Sequence, residues 1–325
     1  MHLLEPSRMA ILHARRFLGG HILANQCHDT WAASKGEPPT KHSHSVFLMY
    51  FAARALHVSG GVEPATRDRI LGCLEMARKG PAYAYDRLSP PDADDTAFAL
   101  RTRLLLQGQV PVAEVVRALE PFAFRNSWLT FCGPIRPGPG WTVQYHDDAS
   151  IFGMHPEVHL NVSLLLQESR AGGPAYPADM PVRDGLVLGY HYPSALYTTW
   201  LASELQTATG GSPSTDASIL ALQEGSGSWP ETEHGFSRSQ ETSIALLTLT
   251  RLAAEGVGRG LRYLLAEQQP DGSWPGGVLW TYHVPRTGGR MRWWAEDSQR
   301  MVSTSLALLA IQRCISGTRA AEGPS

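Results

Sequence analysis

The segment Gln268-Gln269-Pro270-Asp271-Gly272-Ser273-Trp274 has an earlier counterpart in the chain, Gln223-Glu224-Gly225-Ser226-Gly227-Ser228-Trp229. The later copy reads QxxDGSW, and Ser226 stands in place of the aspartate in the earlier one. The tryptophans that end the two copies are 45 residues apart, a period found in helical repeat proteins. The spacing therefore predicts a chain built from repeated pairs of helices.

Six helix openings recur along the chain, each a short run of small or polar residues followed by apolar ones. Ser, Thr and Asp are good N-terminal helix caps, and the apolar segments that follow suit buried helices. The openings lie at Ser43, Asp94, Glu157, Ser194, Gln240 and Ser303.

Amphipathic segments such as 113–119 and 257–266 lie between these openings and indicate outer helices. We therefore predict an all-α fold: six helical hairpins that close into a single (α/α)6 barrel, with residues 1–325 forming one domain. An open solenoid of similar helix pairs is the alternative architecture.

Composition narrows the class of protein. The chain of 325 residues is 43% hydrophobic and 18% charged, as expected for a packed globular core. The net charge of −2 argues against a nucleic-acid partner, because nucleic-acid-binding proteins concentrate Lys and Arg. The four cysteines (Cys27, Cys73, Cys132 and Cys314) form no CxxC pair, which favours free thiols in a reducing compartment.

The hydropathy pattern and the N-terminus bear on location. No uncharged apolar run approaches 18 residues, so a membrane span is excluded, and the first residues do not resemble a secretory signal. We expect a cytoplasmic protein. Peripheral membrane contact stays open, because the basic and aromatic stretch Met291–Trp294 could touch a lipid surface.

Three sequence motifs together resemble a known family. The QxxDGSW segments resemble the QW motif of squalene-hopene and oxidosqualene cyclases. Asp92-Ala93-Asp94-Asp95-Thr96-Ala97 resembles the DxDD motif, followed by Thr-Ala, of class II diterpene cyclases. His155-Pro156-Glu157-Val158-His159-Leu160-Asn161 resembles the segment in which those enzymes keep a partner for the acid.

The resemblance covers about Ser43 to Gln312 and implies a class II cyclase that protonates an isoprenoid alkene. The chain has no room for the second barrel of most family members. It therefore resembles the monodomain type that cyclises prenylated aromatic acids to meroterpenoids. The implied partner is a hydrophobic isoprenoid substrate.

The predicted chemistry centres on Asp94 as the acid. Burial and the neighbouring carboxylates of Asp92 and Asp95 would raise its pKa and keep it protonated. A helix beginning near Asp95 would offer backbone N–H groups to the anion left behind. The resemblance adds a hydrogen bond from Asn161. No cofactor is required, and Mg²⁺ is expected only if the substrate carries a diphosphate.

Aromatic walls are expected around the carbocation, because ring faces attract positive charge. Ordinary core packing is the alternative role for each residue taken singly. The candidates for substrate contact are Trp128, Tyr145, Tyr192, Tyr197, Trp280, Trp293 and His155.

Other polar residues receive less specific roles. His146, His155 and His191 are possible terminating bases, among which the sequence does not choose. Glu157 is expected to cap its helix. Lys35, Lys41 and Arg54 are expected near an inner-helix start, either as ligands of a diphosphate or carboxylate head group or as solvated surface charges.

Competing functions stay open at this point. A class II cyclase of geranylgeranyl or farnesyl diphosphate, which retains the diphosphate, is the main alternative. A zinc-dependent protein prenyltransferase subunit has the same barrel, but Cys27-His28-Asp29 is a poor ligand set because adjacent residues rarely converge on one ion. A non-catalytic isoprenoid-binding barrel would not depend on Asp94. A class I synthase is disfavoured, since His146-Asp147-Asp148 lacks the third carboxylate. Oligomeric state, ring number and head group are not predicted.

Overall fold

The structure is a computed structural model in which residues 3–33, 39–124, 127–131, 154–172, 180–211, 215–232, 235–249, 255–286 and 289–322 are described. The described part of the chain is mainly helical. Its α-helices are α1 (Leu4–Leu23), α2 (Val46–Val58), α3 (Pro64–Ala77), α4 (Ala93–Gln107), α5 (Val112–Leu119), α6 (Pro156–Glu168), α7 (Ala195–Ala208), α8 (Asp216–Ala221), α9 (Arg238–Thr248), α10 (Glu255–Glu267) and α11 (Met301–Glu322).

Six of these helices pack into a closed ring: α2 contacts α4, and contacts continue through α6, α7, α9 and α11 back to α2. Each begins within three residues of a predicted opening, so the six helix starts are confirmed. Most residues of the ring helices are buried on every side, which is why their sequences are apolar all round.

Side-chain caps fix where several ring helices begin. Ser45 accepts the N–H of Leu48 at 3.2 Å, and Ser194 accepts the N–H of Tyr197 at 3.2 Å. α9 has a capping box, because Ser237 and Gln240 each accept the other's backbone N–H. These local hydrogen bonds satisfy N–H groups that a buried helix start would otherwise leave unpaired.

An outer set of amphipathic helices covers the ring. α3 packs on α2, α5 on α4 and α10 on α9, while the N-terminal helix α1 packs on the last ring helix, α11. The predicted outer segments 113–119 and 257–266 correspond to α5 and α10.

The two QW-type segments tie outer helices to ring helices by equivalent contacts. The Trp229 indole donates to the carbonyl of Ile219 on α8, and the Trp274 indole donates to that of Leu264 on α10, both at 2.7 Å. Their backbone N–H groups donate to Thr242 on α9 and to Thr304 on α11. In each segment, therefore, the tryptophan side chain bonds to an outer helix and its backbone N–H bonds to a ring helix.

Glycine is required where each of these segments meets the next outer helix. Gly227 and Gly272 have φ angles of +91° and +92°. A Cβ on Gly227 would lie 2.7 Å from the carbonyl oxygen of Arg259, and one on Gly272 would lie 2.6 Å from that of His13. Because His13 belongs to α1, the N-terminal helix occupies the place of the outer helix that follows α10.

The strands correct the all-α prediction. A four-stranded antiparallel sheet has the order β2-β1-β10-β9, and three two-stranded ribbons lie in loops. The strands are β1 (His28–Ala33), β2 (Thr40–Ser43), β3 (Arg78–Lys79), β4 (Ala82–Tyr83), β5 (Ala123–Phe124), β6 (Ser127–Trp128), β7 (Val182–Arg183), β8 (Leu186–Val187), β9 (Val278–Arg286) and β10 (Gly289–Glu296). The sheet was missed because Thr30 pairs with Glu296, near the opposite end of the chain.

Hydrogen bonds attach the four-stranded sheet to loops that lead into ring helices. Thr281 on β9 donates its N–H to the carbonyl of His191, just before α7, at 2.8 Å. Val278 donates to Gly235, before α9, at 3.0 Å. The sheet therefore lies at the N-terminal end of the ring helices.

Among the helices in the described ranges, none combines the length and the apolar character that a bilayer crossing needs.

Candidate active site

Asp92 caps α4, which begins two residues before Asp95 and so close to its predicted start. Its side chain accepts the N–H of Asp95 at 2.8 Å, and the first helical residue is Ala93. The N–H of Ala93 donates to the carbonyl of Thr130 at 2.9 Å. The cap holds the first turn of the helix, which carries Asp94.

Asp94 is held by one donor at each carboxyl oxygen. The Asn161 amide donates to Oδ1 at 2.7 Å, so the hydrogen bond that the resemblance implied is present. The Tyr192 hydroxyl donates to Oδ2 at 2.9 Å. Asn161 lies on α6, beside α4 in the ring, and Tyr192 lies in the loop before α7. Three consecutive segments of the ring thus meet at one carboxyl group.

Burial raises the pKa of Asp94 well above its usual range, and the negative charge of Asp92 raises it further. The hydrogen bonds from Asn161 and Tyr192 act in the opposite direction. Burial likewise raises the pKa of Asp95 well above its usual range and that of Asp92 to about 6. Burial and the charge of Asp92 therefore favour the protonated form of Asp94, and the donors from Asn161 and Tyr192 can stabilise the anion left after proton transfer.

Asp94 differs from its two neighbours in exposure. Asp92 and Asp95 are buried, whereas Asp94 is half-buried. Of the three carboxyl groups, Asp94 is the one with surface left to meet another molecule.

Arg101 orients the amide of Asn161 and was not singled out by the sequence. Its guanidinium donates to Asn161 Oδ1 at 3.4 Å and to both oxygens of Glu168 at 2.7 and 3.0 Å. With the amide oxygen facing Arg101, the amide NH₂ faces Asp94. The sequence offered one clue to this role: Arg101 lies in an apolar segment two helical turns after Asp94, and therefore on the same face of the helix.

The prediction that Arg54 lies near a helix start and binds a head group is wrong. Arg54 lies towards the C-terminal end of α2, where its guanidinium pairs with both carboxylate oxygens of Glu204. It also lies over the Trp200 ring at 5.1 Å. This charge is neutralised inside the protein. Lys41 is exposed on β2, and Lys35 lies outside the described residues.

The aromatic candidates for substrate contact lie in different parts of the structure, and one group lies beside Asp94. Tyr192 stacks on Tyr197 at 4.3 Å and on Phe47 at 5.8 Å, beside Asp94. Trp280 is buried on the sheet, and Trp128 is half-buried on β6, which packs against α6. Tyr145 lies outside the described residues, as does the side chain of Trp293, whose backbone belongs to β10.

His155 and His191 form a buried pair of imidazole rings. Nδ1 of His155 lies 3.0 Å from Nε2 of His191 and 2.6 Å from the hydroxyl of Thr130. The His155 ring also stacks on Tyr190 at 4.3 Å. These contacts join the segment after β6 to the loops before α6 and α7. His146 lies outside the described residues.

Glu157 does not cap its own helix, contrary to prediction. Its carboxylate accepts the N–H groups of Tyr190 and His191 at 2.6–3.1 Å. Glu157 thereby fixes the loop that carries Tyr192 to Asp94. Burial raises the pKa of Glu157, while these backbone hydrogen bonds lower it.

Metal-ligating side chains are dispersed in the described part of the chain: within it, no group of three or more His, Cys, Asp or Glu is arranged to hold an ion.

Comparisons with known proteins bear on the fold. No protein-family model matches the chain, and no curated protein matches its sequence. Among solved structures, the type II terpene cyclase MstE from Scytonema is similar with a TM-score of 0.70 and 16% identity, over 96% of this chain and 99% of that chain. An MstE variant bound to its substrate, geranylgeranyl dihydroxybenzoate, gives 0.70 and 15% over the same shares.

A larger enzyme is also similar. ent-Copalyl diphosphate synthase from Streptomyces platensis has a TM-score of 0.53 and 20% identity, over 82% of this chain and 50% of that chain. The chain therefore has the fold of type II terpene cyclases. It matches MstE over nearly the full length of both chains, and half of the diphosphate cyclase.

Proposed function

We propose that this protein is a class II terpene cyclase that protonates the terminal alkene of a linear isoprenoid and closes its rings through a carbocation cascade. The observation that carries the proposal is Asp94, a half-buried acid with a raised pKa and one hydrogen-bond donor at each oxygen. Proton transfer from Asp94 forms a C–H bond with the alkene π electrons and leaves a tertiary cation and a carboxylate. Asn161 and Tyr192 stabilise that carboxylate, and Asp92 and Asp95 favour the protonated form beforehand.

The proposed architecture is one (α/α)6 barrel formed by the whole chain as a single domain. The closed order of the ring helices and the place of α1 after α10 support closure rather than an open solenoid. In such a barrel the N-terminal ends of the inner helices surround Asp94.

The proposed substrate is a prenylated aromatic compound. Its support is the match over full length to MstE, which binds geranylgeranyl dihydroxybenzoate. A prenyl diphosphate is the second candidate, supported by the weaker similarity to ent-copalyl diphosphate synthase. The proposed protonation uses side chains of this chain alone and needs no metal.

The test is to incubate the protein with geranylgeranyl dihydroxybenzoate, geranylgeranyl diphosphate and farnesyl diphosphate, beside an Asp94→Asn variant. We expect cyclic product from the aryl substrate and a loss of about 10²–10⁴-fold in rate in the variant, because the amide has no acidic proton to give. Asp68→Asn, whose side chain is 71% exposed, is the matched control and should keep the parent rate. Cyclisation by Asp94→Asn at the parent rate would refute the mechanism, and product from diphosphates alone would refute the substrate.

A further inference from the structure

A second pair of interacting side chains lies near the acid but takes no part in protonation. Nδ1 of His42, on β2, lies 2.7 Å from Oδ2 of Asp86, in the loop before α4. The other oxygen of Asp86 accepts the N–H of Leu88, and the N–H and hydroxyl of Ser89, at 2.8–2.9 Å. Asp86 is therefore a fixed carboxylate.

The charge state of Asp86 fixes the tautomer of His42. Hydrogen bonds to Asp86 hold its pKa at about 2 although burial acts to raise it, so the group is ionised at neutral pH. An ionised carboxylate needs a donor, so Nδ1 of His42 carries the hydrogen, and the lone pair of the neutral imidazole is then on Nε2. The hydroxyl of Thr40, 3.3 Å from Nε2, can donate to that lone pair. An imidazole oriented by a carboxylate in this way is suited to accept a proton.

The imidazole belongs to an aromatic cluster on the inner face of the sheet. His42 stacks on Trp31 at 3.8 Å, and Trp31 contacts Tyr85 at 5.3 Å and Trp280 at 4.5 Å. His42 pairs with Asp29 across the strands, so it shares a face with Asp29 and Trp31. These ring faces can stabilise a cation next to the imidazole.

The cluster and the acid are linked by a short run of bonded residues. Thr281, next to Trp280, donates its N–H to the carbonyl of His191 at 2.8 Å. The next residue, Tyr192, donates its hydroxyl to Asp94. On the other side, the charge of Asp86 contributes to raising the pKa of Asp95. The sheet face therefore lies at the same end of the ring as Asp94, without His42 touching the acid.

This separation matters chemically. A base in contact with Asp94 would take the proton that the alkene must receive. Ring closure moves the cation along the chain away from the carbon first protonated, so the last deprotonation needs a base apart from the acid. His155 and His191 are less suitable, because both rings are buried and Nδ1 of His155 lies against Nε2 of His191.

We propose that His42, oriented by Asp86, is the base that ends the cascade; this rests on the proposed cyclase function. Nε2 takes a proton from a carbon next to the final cation, and the C–H electron pair becomes the new C=C bond. Asp86 balances the charge of the imidazolium. One proton enters from Asp94 and one leaves through His42, so the reaction is an isomerisation and needs no co-reactant. The proton then passes to water at the exposed Thr40.

The test uses geranylgeranyl dihydroxybenzoate in D₂O with the parent protein, His42→Gln and Asp86→Asn. Gln fills similar space and can donate to Asp86, but it is not a base. His28→Gln is the control, because His28 lies on the opposite face of the same sheet. Products are separated by chromatography, and deuterium is located by mass spectrometry and NMR.

We expect His42→Gln to incorporate deuterium at the initiating carbon but to divert at least half of the product to isomeric alkenes or water-trapped alcohols. Asp86→Asn should give a smaller diversion of the same kind, and His28→Gln the parent product. Two results would overturn the assignment: the parent alkene from His42→Gln at the parent rate, or an unchanged product with only a raised KM, which would make His42 a head-group contact. No product from the parent protein with geranylgeranyl dihydroxybenzoate, geranylgeranyl diphosphate or farnesyl diphosphate would instead mean that the cyclase function itself is wrong.

Discussion

The ring of helices and the four-stranded sheet hold their polar side chains by different means. In the ring, Asp94 is fixed by an N-terminal cap and by donors from the two ring segments that follow along the chain. In the sheet, His42 is fixed by an aspartate that belongs to a ring loop and by an aromatic cluster drawn from distant segments. The difference shows that contacts between neighbouring helices position Asp94, whereas contacts between distant segments of the chain position His42.

The largest effect should come from breaking the ring contact at Asn161. Replacing Asn161 with Leu keeps the volume but removes the donor to Asp94 and the acceptor of Arg101. We expect kcat to fall by about 10²–10³-fold, as when one oxyanion donor is lost. Because this hydrogen bond lowers the pKa of Asp94, its loss should raise that pKa further. Activity requires protonated Asp94, so the alkaline limb of the pH–rate profile should move to higher pH.

The control for this variant lies on the same helix. Ser163 is buried on α6, and its hydroxyl has no hydrogen-bond partner among the described residues. Ser163→Ala should keep both the rate and the profile. If Ser163→Ala lowers kcat as much as Asn161→Leu does, any change in α6 impairs the enzyme, and a specific role of Asn161 is not supported.

The second prediction compares one tryptophan from each region. Trp274 is fully buried between α10 and α11, and we expect Trp274→Ala to lower the free energy of unfolding by about 3–5 kcal/mol. Trp31→Ala in the sheet should speed amide exchange chiefly in the four strands, because the ring helices keep their own backbone hydrogen bonds. Thermal denaturation and hydrogen-exchange mass spectrometry measure the two effects.

Leu88→Ala provides the baseline for both tryptophan variants. The Leu88 side chain is 74% exposed, so its truncation should change stability by less than about 0.5 kcal/mol. If Trp31→Ala loosens the ring helices as much as the strands, the two regions unfold as one unit and the contrast drawn between them is wrong.

The smallest effect concerns the pH dependence of stability in the ring. Burial raises the pKa of Glu241 from 4.5 to about 7, although Ser194 and Thr232 donate to it. A folded-state pKa above the unfolded one means that stability is full below about pH 4.5 and is lost as pH rises through about 7. The difference amounts to roughly 3 kcal/mol. Glu241→Gln should remove this loss and be the more stable protein at pH 8.

Urea denaturation at pH 5, 7 and 8 measures this slope. Glu231→Gln is the control, since Glu231 is exposed, and it should keep the parent slope. A parent slope that is unchanged by Glu241→Gln would place the titrating group elsewhere.

Local patterns explain why the ring was predictable. Caps such as Ser45 and Ser194, the glycine turns at Gly227 and Gly272, and the tryptophans that follow them all act between neighbouring helices. Asp94 was identified from the DxDD-like motif, and Asn161 from the resemblance of residues 155–161 to the segment that holds a partner for the acid. The start of α4 was predicted near Asp95 and lies at Ala93, because the sequence fixes a helix start only to within a few residues.

Residues whose role depends on a distant partner were misjudged or missed. Glu157 could not be seen to hold the loop of Tyr192, since its partners are backbone N–H groups more than 30 residues away. Arg54 was taken for a ligand of the substrate because nothing local reveals its pairing with Glu204. Tyr192 was expected to line the cavity, and the structure adds its hydrogen bond to Asp94.

The sequence by itself determined the repeated helix pairs, the six ring-helix starts and the acidic motif at the second of them, because these depend on capping, periodicity and turn chemistry within a short stretch of chain. Only the tertiary structure decided that β1 and β10 pair across the chain, that α1 fills the place after α10, and that Arg101, Asn161 and Asp94 form one line of contacts. It also brought His42 to Asp86. Such pairings are selected by burial and charge neutralisation between distant segments, and no local pattern records them.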